Sequence, residues 1–190
     1  MEQPMRTARN VAIIVGSLRK ESFNRKTANA VIAMAPLTLK LAIHEIGQLP
    51  LYNQDLETAT PPEWKTFRDG IRGADAVLFV TPEYNRSVPG VLKNAIDVGS
   101  RPREQNVFNG KPGGVISVST GAIGGFGANH ALRQSLVFVN MPAMQQPEAY
   151  IGNAAKHFDD RGQLTDESLR GFLQSFMQAF ARWIEVIAPK

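Results

Sequence analysis

The sequence predicts an α/β fold: a doubly wound, five-stranded parallel sheet with helices on both faces. Two observations carry that expectation. Short, β-rich apolar runs alternate with helical patterns five times along the chain, and the runs are continuous rather than polar at every second position, as in strands covered on both faces. No internal repeat or low-complexity segment disturbs the alternation.

Val11–Val15 (VAIIV) is the first such strand, and a helix follows from about Ser22, with Ala28, Val31, Ile32 and Ala35 on one face, until Pro36 stops it. Leu39–Ile43 is the second strand. Thr60-Pro-Pro-Glu63 has the form of a capping box with proline at the first helical position, and Trp64, Phe67 and Ile71 continue at helical spacing up to Gly73. Ala76–Val80 is a third strand, and TPEYNRSVPG after it is a loop, held by two prolines. A helix covers roughly Pro89–Val98. Val115–Val118 is the fourth strand, and a helix from about Phe126 to Val139 carries Leu132, Leu136 and Val139. A short last strand falls between Met141 and Ile151. The C-terminal helix begins near Thr165 as its cap, with Asp166 and Glu167 at the positive end of the dipole. Its stripe of Leu169, Phe172, Leu173, Phe176, Phe180, Trp183, Ile184 and Ile187 repeats every 3.6 residues and reads as core.

At 190 residues and 43% hydrophobic, the chain can bury about 70% of its unfolded surface, which predicts one domain over residues 1–190. No apolar stretch approaches the roughly 18 to 20 residues of a membrane span, and residues 1–10, MEQPMRTARN, lack the apolar middle of a signal peptide. A soluble, cytoplasmic protein is expected. The absence of cysteine rules out disulfides, a thiolate nucleophile and a Cys-ligated metal. His44, His130 and His157 are too far apart for a helical zinc motif, so no metal is expected: His44 reads as a core or edge residue, and His130 and His157 as surface. A net charge of +4 attracts anions, but no basic run announces nucleic acid. Arg86, Lys93, Arg101, Arg103 and Lys111 form the densest basic segment, interrupted by Asp97 and Glu104. Both a solvated face and an anion-attracting site suit it.

In such sheets ligands bind beyond the carboxyl ends of the strands, where the winding reverses, so the loops after strands one, three and four matter. GSLRKESFN (16–24) offers the Ser17 and Ser22 hydroxyls, the Asn24 amide, the Arg19 guanidinium and the free N–H groups of a helix's first turn. Ser22 alone could be a plain cap, which leaves Ser17 and Arg19 unexplained. The loop lacks G-x-G-x-x-G and G-x-x-x-x-G-K-[ST], which disfavours a dinucleotide fold and a P-loop and favours the single phosphate of a mononucleotide. Thr81-Pro-Glu-Tyr-Asn85 offers an aromatic ring and a rigid backbone on which a planar heterocycle can rest, with the N–H groups of Glu83, Tyr84 and Asn85 at its edge; Tyr84 as a loop anchor remains open. Ser119–Gly127 (STGAIGGFG) carries four glycines, which suit either close backbone approach to a ligand or a tight connection.

Together GSLRKESFN, TPEYNRSVPGVLKNAID (81–97) and STGAIGGFGA (119–128) resemble the NADPH-dependent FMN reductase family of the flavodoxin-like superfamily, and more closely its quinone and chromate reductase branch, over about residues 10–185. The resemblance implies a flavodoxin-like fold with FMN phosphate against Ser17, Arg19, Ser22 and Asn24. It places the isoalloxazine on Pro82, Glu83, Tyr84 and Asn85, and Ser119 at its other side. It also implies NAD(P)H as hydride donor, a quinone or chromate as acceptor, ping-pong turnover, and a dimer or homotetramer. No acid or base is needed for hydride transfer, which agrees with the lack of a nucleophile elbow or a recognisable triad, so no catalytic side chain is expected. Arg101, Lys93 or Arg86 is a candidate for holding an anionic oxidant or the donor's phosphate. A one-electron FMN carrier or a flavin-binding regulatory protein is the alternative; carriers of this fold tend to be acidic, and this chain is basic.

Overall fold

A computed structural model describes residues 8–188. The strands are β1 (Arg9–Val15), β2 (Leu39–His44), β3 (Ala76–Thr81), β4 (Gly113–Val118) and β5 (Ala149–Ile151). The helices are α1 (Phe23–Ala33), α2 (Pro62–Arg72), α3 (Gly90–Ser100), α4 (Phe126–Phe138) and α5 (Glu167–Ile187). All strand pairs are parallel, in the order β2-β1-β3-β4-β5. This is the expected five-stranded flavodoxin-like sheet. Successive side chains of a strand point to opposite faces, so Val11, Ile13 and Val15 join the cluster built with α1 and α5. Ala12 and Ile14 join the cluster built with α2, α3 and α4. β3 and β4 are buried along their whole length, which explains their unbroken apolar runs.

The stripe on α5 packs into the core, with Met177 added and without Ile187, which is half-buried at the helix end. On α1 the buried set is Asn24, Thr27, Ala28 and Val31, and Ile32, expected inside, is exposed: it lies about 100° around the helix from Val31. Neither expected threonine caps its helix. α2 starts at Pro62 with Pro61 in the cap position, one residue later than a Thr60 box requires, and the Thr60 hydroxyl donates to the Glu57 carbonyl at 3.0 Å. α5 is capped by Asp166, whose Oδ1 accepts from Leu169 N at 2.9 Å, while Thr165 donates to the His157 carbonyl.

His157 is half-buried rather than surface. Its ring links the Asp166 carboxylate at 2.8 Å to the Gly152 carbonyl at 3.0 Å, tying the end of β5 to the start of α5. His44 is half-buried on edge strand β2, where burial lowers its pKa. His130 is exposed as expected, with Nε2 at 3.0 Å from the Tyr150 hydroxyl. β5 has only three residues, and a buried polar chain secures it. Asn129 donates to Ser117 Oγ at 3.2 Å and to the Ala149 carbonyl at 3.3 Å, and accepts from Arg133, which reaches the Met144 carbonyl at 2.9 Å. Among the described residues no helix is long and apolar enough to cross a membrane, and no cluster of His, Asp and Glu could hold a metal. Residues 1–7 of the segment read above for a signal peptide lie outside the described residues.

Candidate functional site at the carboxyl edge of the sheet

The strand order reverses between β1 and β3, and a cleft of about 310 Å³ opens at their carboxyl ends, as the topology demands. Every predicted cofactor residue except Asn85 lines it: Ser17, Arg19, Ser22 and Asn24 from the first loop, Pro82, Glu83 and Tyr84 from the second, and Ser119 from the third. Phe23, Val118 and Thr120 line it as well. Each adjoins a predicted residue or closes a predicted strand, so the motifs already pointed to their neighbourhood.

The first loop turns polar groups inward. Ser17, Ser22 and Asn24 are buried, and each serine Oγ accepts one backbone N–H: Arg19 N at 3.4 Å for Ser17, Asn24 N at 3.2 Å for Ser22. Ser22 is therefore the α1 cap, and its hydroxyl proton stays free to donate. Among the described residues the backbone N–H groups of Leu18, Lys20, Glu21 and Ser22 have no protein partner. Among the described residues the Arg19 guanidinium has no carboxylate partner, and it lies 5.6 Å from the centre of the Phe23 ring. Asn24 Nδ2 reaches the Val118 carbonyl at 3.5 Å, joining this loop to the end of β4, and its Oδ1 is buried without a partner.

The second loop is a closed knuckle. Tyr84 and Ser87 exchange two backbone hydrogen bonds of 3.0 Å around Asn85 and Arg86, whose φ values are +50° and +65°. Positive φ at both central residues is what a two-residue type I′ turn requires, and Asn tolerates it well. Asn85 therefore shapes the turn instead of lining the cleft. The Tyr84 N–H, expected to face a ring edge, is taken by Ser87, whereas those of Glu83 and Asn85 have no protein partner among the described residues. The Tyr84 side chain is 51% exposed at the mouth and is no buried anchor.

The third loop meets the second through Glu83. Gly125, the left-handed N-cap of α4 at φ +75°, offers no capping side chain, and Glu83 Oε2 accepts Ala128 N at 3.0 Å in its place. A Cβ on Gly127 would sit 2.8 Å from the Arg86 carbonyl oxygen and 2.9 Å from Glu83 Oε2, so only glycine lets the two loops close. Tight packing of loop on loop explains that glycine. Ser119 Oγ accepts from Gly121 N at 3.1 Å, and Ser119 N donates to the Ile151 carbonyl at 2.9 Å. Beyond this loop, burial first and Glu148 second push the Tyr150 phenol up to about 12, so it stays neutral.

None of the basic candidates lines the cleft. Arg86 is on the knuckle, 3.5 Å from Glu83, and Lys93 pairs with Asp97 at 2.8 Å on α3. Arg101 lines a separate cavity of about 360 Å³ beyond the last residue of α3. Eleven residues at 1.5 Å each put it about 16 Å from the helix start. Within one chain, Arg101 is not part of the cleft.

The donor set fits FMN: hydroxyls, free N–H groups and a guanidinium suit a phosphate monoester at the α1 terminus, and the orphaned Asn24 Oδ1 suits a hydroxyl of a sugar-like chain. Known proteins similar to this chain are flavoenzymes and quinone reductases. The model of the NADPH-dependent FMN reductase family matches residues 9–156. The chain belongs to that family. Among the chain's relatives, a quinone reductase of Pseudomonas putida is 65% identical over 178 residues, covering 93% of this chain and 95% of that one. A 2-hydroxy-1,4-benzoquinone reductase of a Burkholderia species is 44% identical, covering 93% and 97%. The solved structure of FerB, a flavoenzyme NAD(P)H:acceptor oxidoreductase of Paracoccus denitrificans, superposes on this chain with a TM-score of 0.90 at 43% identity, covering 96% of this chain and 100% of that one.

Proposed function

We propose that this chain is an FMN-dependent NAD(P)H oxidoreductase that reduces quinones by two electrons, with chromate as a further acceptor. The observation that carries it is the buried, unpartnered Asn24 Oδ1 in a cleft whose other donors suit a phosphate. The quinone reductases among its relatives supply the acceptor class.

Ser17, Arg19, Ser22 and the free N–H groups before α1 hold the phosphate, and Asn24 orients the chain that follows it. Pro82 and the Glu83 backbone support the ring, Asn85 holds the turn that carries Tyr84, Tyr84 shields the mouth from water, and Ser119 closes the other side. Bound FMN supplies the group that accepts hydride and passes it on. No side chain of the cleft needs to move a proton. Donor and acceptor share one opening, so they bind in turn, and initial-rate plots should show ping-pong kinetics. The protein is proposed to be cytoplasmic, with residues 1–190 as one FMN-binding domain built on the single sheet. A homodimer or homotetramer is supported by Val137 and Phe138, which lie 79% and 76% exposed on α4. A role for Arg101 at the substrate would require such a second copy, given its place beyond α3.

The purified protein should be yellow, and anaerobic mixing with NADPH should bleach it within seconds in a stopped-flow spectrometer. Bleaching over minutes would assign a carrier instead. Arg19→Ala and Ser17→Ala should each weaken FMN binding about tenfold and leave the melting temperature of the apoprotein nearly unchanged. Equal flavin content in variant and parent after gel filtration would refute the assignment of the first loop.

A further inference from the structure

The third loop of the cleft rests on the stretch of chain that leaves β5. Ser119 N donates to the Ile151 carbonyl at 2.9 Å, Ala154 N to the Ser119 carbonyl at 3.0 Å, and Asn153 N to the Gly121 carbonyl at 3.2 Å. The two segments also touch. A Cβ on Gly152 would run into the Ala122 carbonyl oxygen, and one on Gly124 would sit 2.7 Å from the Tyr150 carbonyl carbon. With no slack between them, the loop goes wherever residues 151–154 go.

β5 is a three-residue edge strand, and the polar chain through Asn129 secures its start, at the Ala149 carbonyl. Its far end is held in another way. After Ile151 the chain bends through Asn153, at φ +49°, into a single 3₁₀ turn over Ala154–Lys156, and the His157 ring reaches back to that bend. Nε2 lies 3.0 Å from the Gly152 carbonyl oxygen, and Nδ1 lies 2.8 Å from Asp166 Oδ2. Asp166 is the N-cap of α5, whose 21 residues bury their apolar side in the core. One imidazole therefore ties the support of the third loop to a long, packed helix.

We propose that His157 is a positioning residue for the flavin: it fixes residues 151–154 and through them sets where Ser119 and Thr120 stand against the isoalloxazine. The inference rests on the FMN site proposed above. Thr120 lines the cleft, and its N–H has no protein partner among the described residues. The Ser119 hydroxyl accepts from Gly121 N and keeps its proton free to donate. Donors beside a ring that gains electrons favour its reduced form, provided that they are held in place beforehand. His157 does not line the cleft, so its influence passes through the three backbone hydrogen bonds.

Two substitutions separate this role from plain support of α5. Gln carries its amide nitrogen near the place of Nε2 and can still donate to the Gly152 carbonyl, whereas the shorter Asn carries it near the place of Nδ1 and can meet only Asp166. His157→Gln should keep the FMN affinity and the midpoint potential of the bound flavin close to those of the parent. His157→Asn should weaken FMN binding about tenfold and lower the potential. If the ring served only the α5 cap, the order would reverse, with Asn close to the parent and Gln impaired. That reversal, or equal affinity and potential in all three proteins, overturns the proposal. Hydrogen exchange of the apoprotein gives a second readout: the Asn153 and Ala154 N–H groups should exchange about tenfold faster in His157→Asn than in the parent or His157→Gln. Equal protection in all three overturns the proposal too. Should His157→Asn not fold, loss of flavin affinity or of that protection in His157→Gln overturns it, and retention of both supports it. A parent that takes up no FMN would instead sink the proposed function, while the exchange rates would still decide whether His157 holds the loop.

Discussion

Glu83 shows how one side chain can matter to a site through the loops it joins. Its carboxylate caps α4 from another loop, because Gly125 has no side chain to do so. Glu83→Ala should cost about 1 to 2 kcal/mol of stability, in the range of a lost N-cap, and should lower flavin retention by freeing the knuckle from α4. Glu83→Gln, whose amide oxygen still accepts, should recover most of both; urea titration and the FMN-to-protein ratio measure them. The position of Glu83 in the cleft was legible from the sequence, because it follows an apolar strand and a proline. Its task was not, since its partner Ala128 is 45 positions away. The same holds for Asn94, which accepts from Tyr52 N at 2.8 Å and donates to the Leu49 and Pro50 carbonyls at 3.2 Å. Nothing local in VLKNAID says that the asparagine clamps a distant loop.

Elements were legible where apolar spacing set them and less so at their ends. The α5 stripe and the buried runs of β1, β3 and β4 followed from period alone. The caps of α2 and α5 each fell one residue beyond the expected threonine, because a proline takes the position in one and an aspartate with a second partner takes it in the other. That aspartate gives α5 a pH dependence. The bond from Leu169 N, followed by His157, holds the Asp166 carboxyl below its ordinary value of 3.8. As pH falls, the unfolded chain takes up this proton before the folded one. The stabilisation is therefore complete above about pH 4 and is lost as pH drops through the folded value. Melting temperatures taken downward from pH 6 should fall more steeply below pH 4 in the parent than in Asp166→Asn, which keeps a capping oxygen but no charge. Parallel curves would show that the charge contributes nothing.

At the scale of the whole molecule, the alternation of strand and helix was enough to predict the layers and the edge that carries the site. The proposed oligomer would need a surface that the sequence does not mark: Val137 and Phe138 sit in an apolar helical run, and only the structure shows them exposed. Phe138→Glu should convert an oligomer to monomers, read as molar mass by light scattering during size exclusion, and an unchanged mass would place the interface elsewhere. The way the loops meet also bears on which oxidants the enzyme tolerates. Glu83, the one carboxylate among the described residues that line the cleft, is taken up by Ala128 N, so an incoming molecule meets no free carboxylate there. With FMN held on the remaining donors, thinness and electron affinity would be left to sort one acceptor from another, a recipe for breadth.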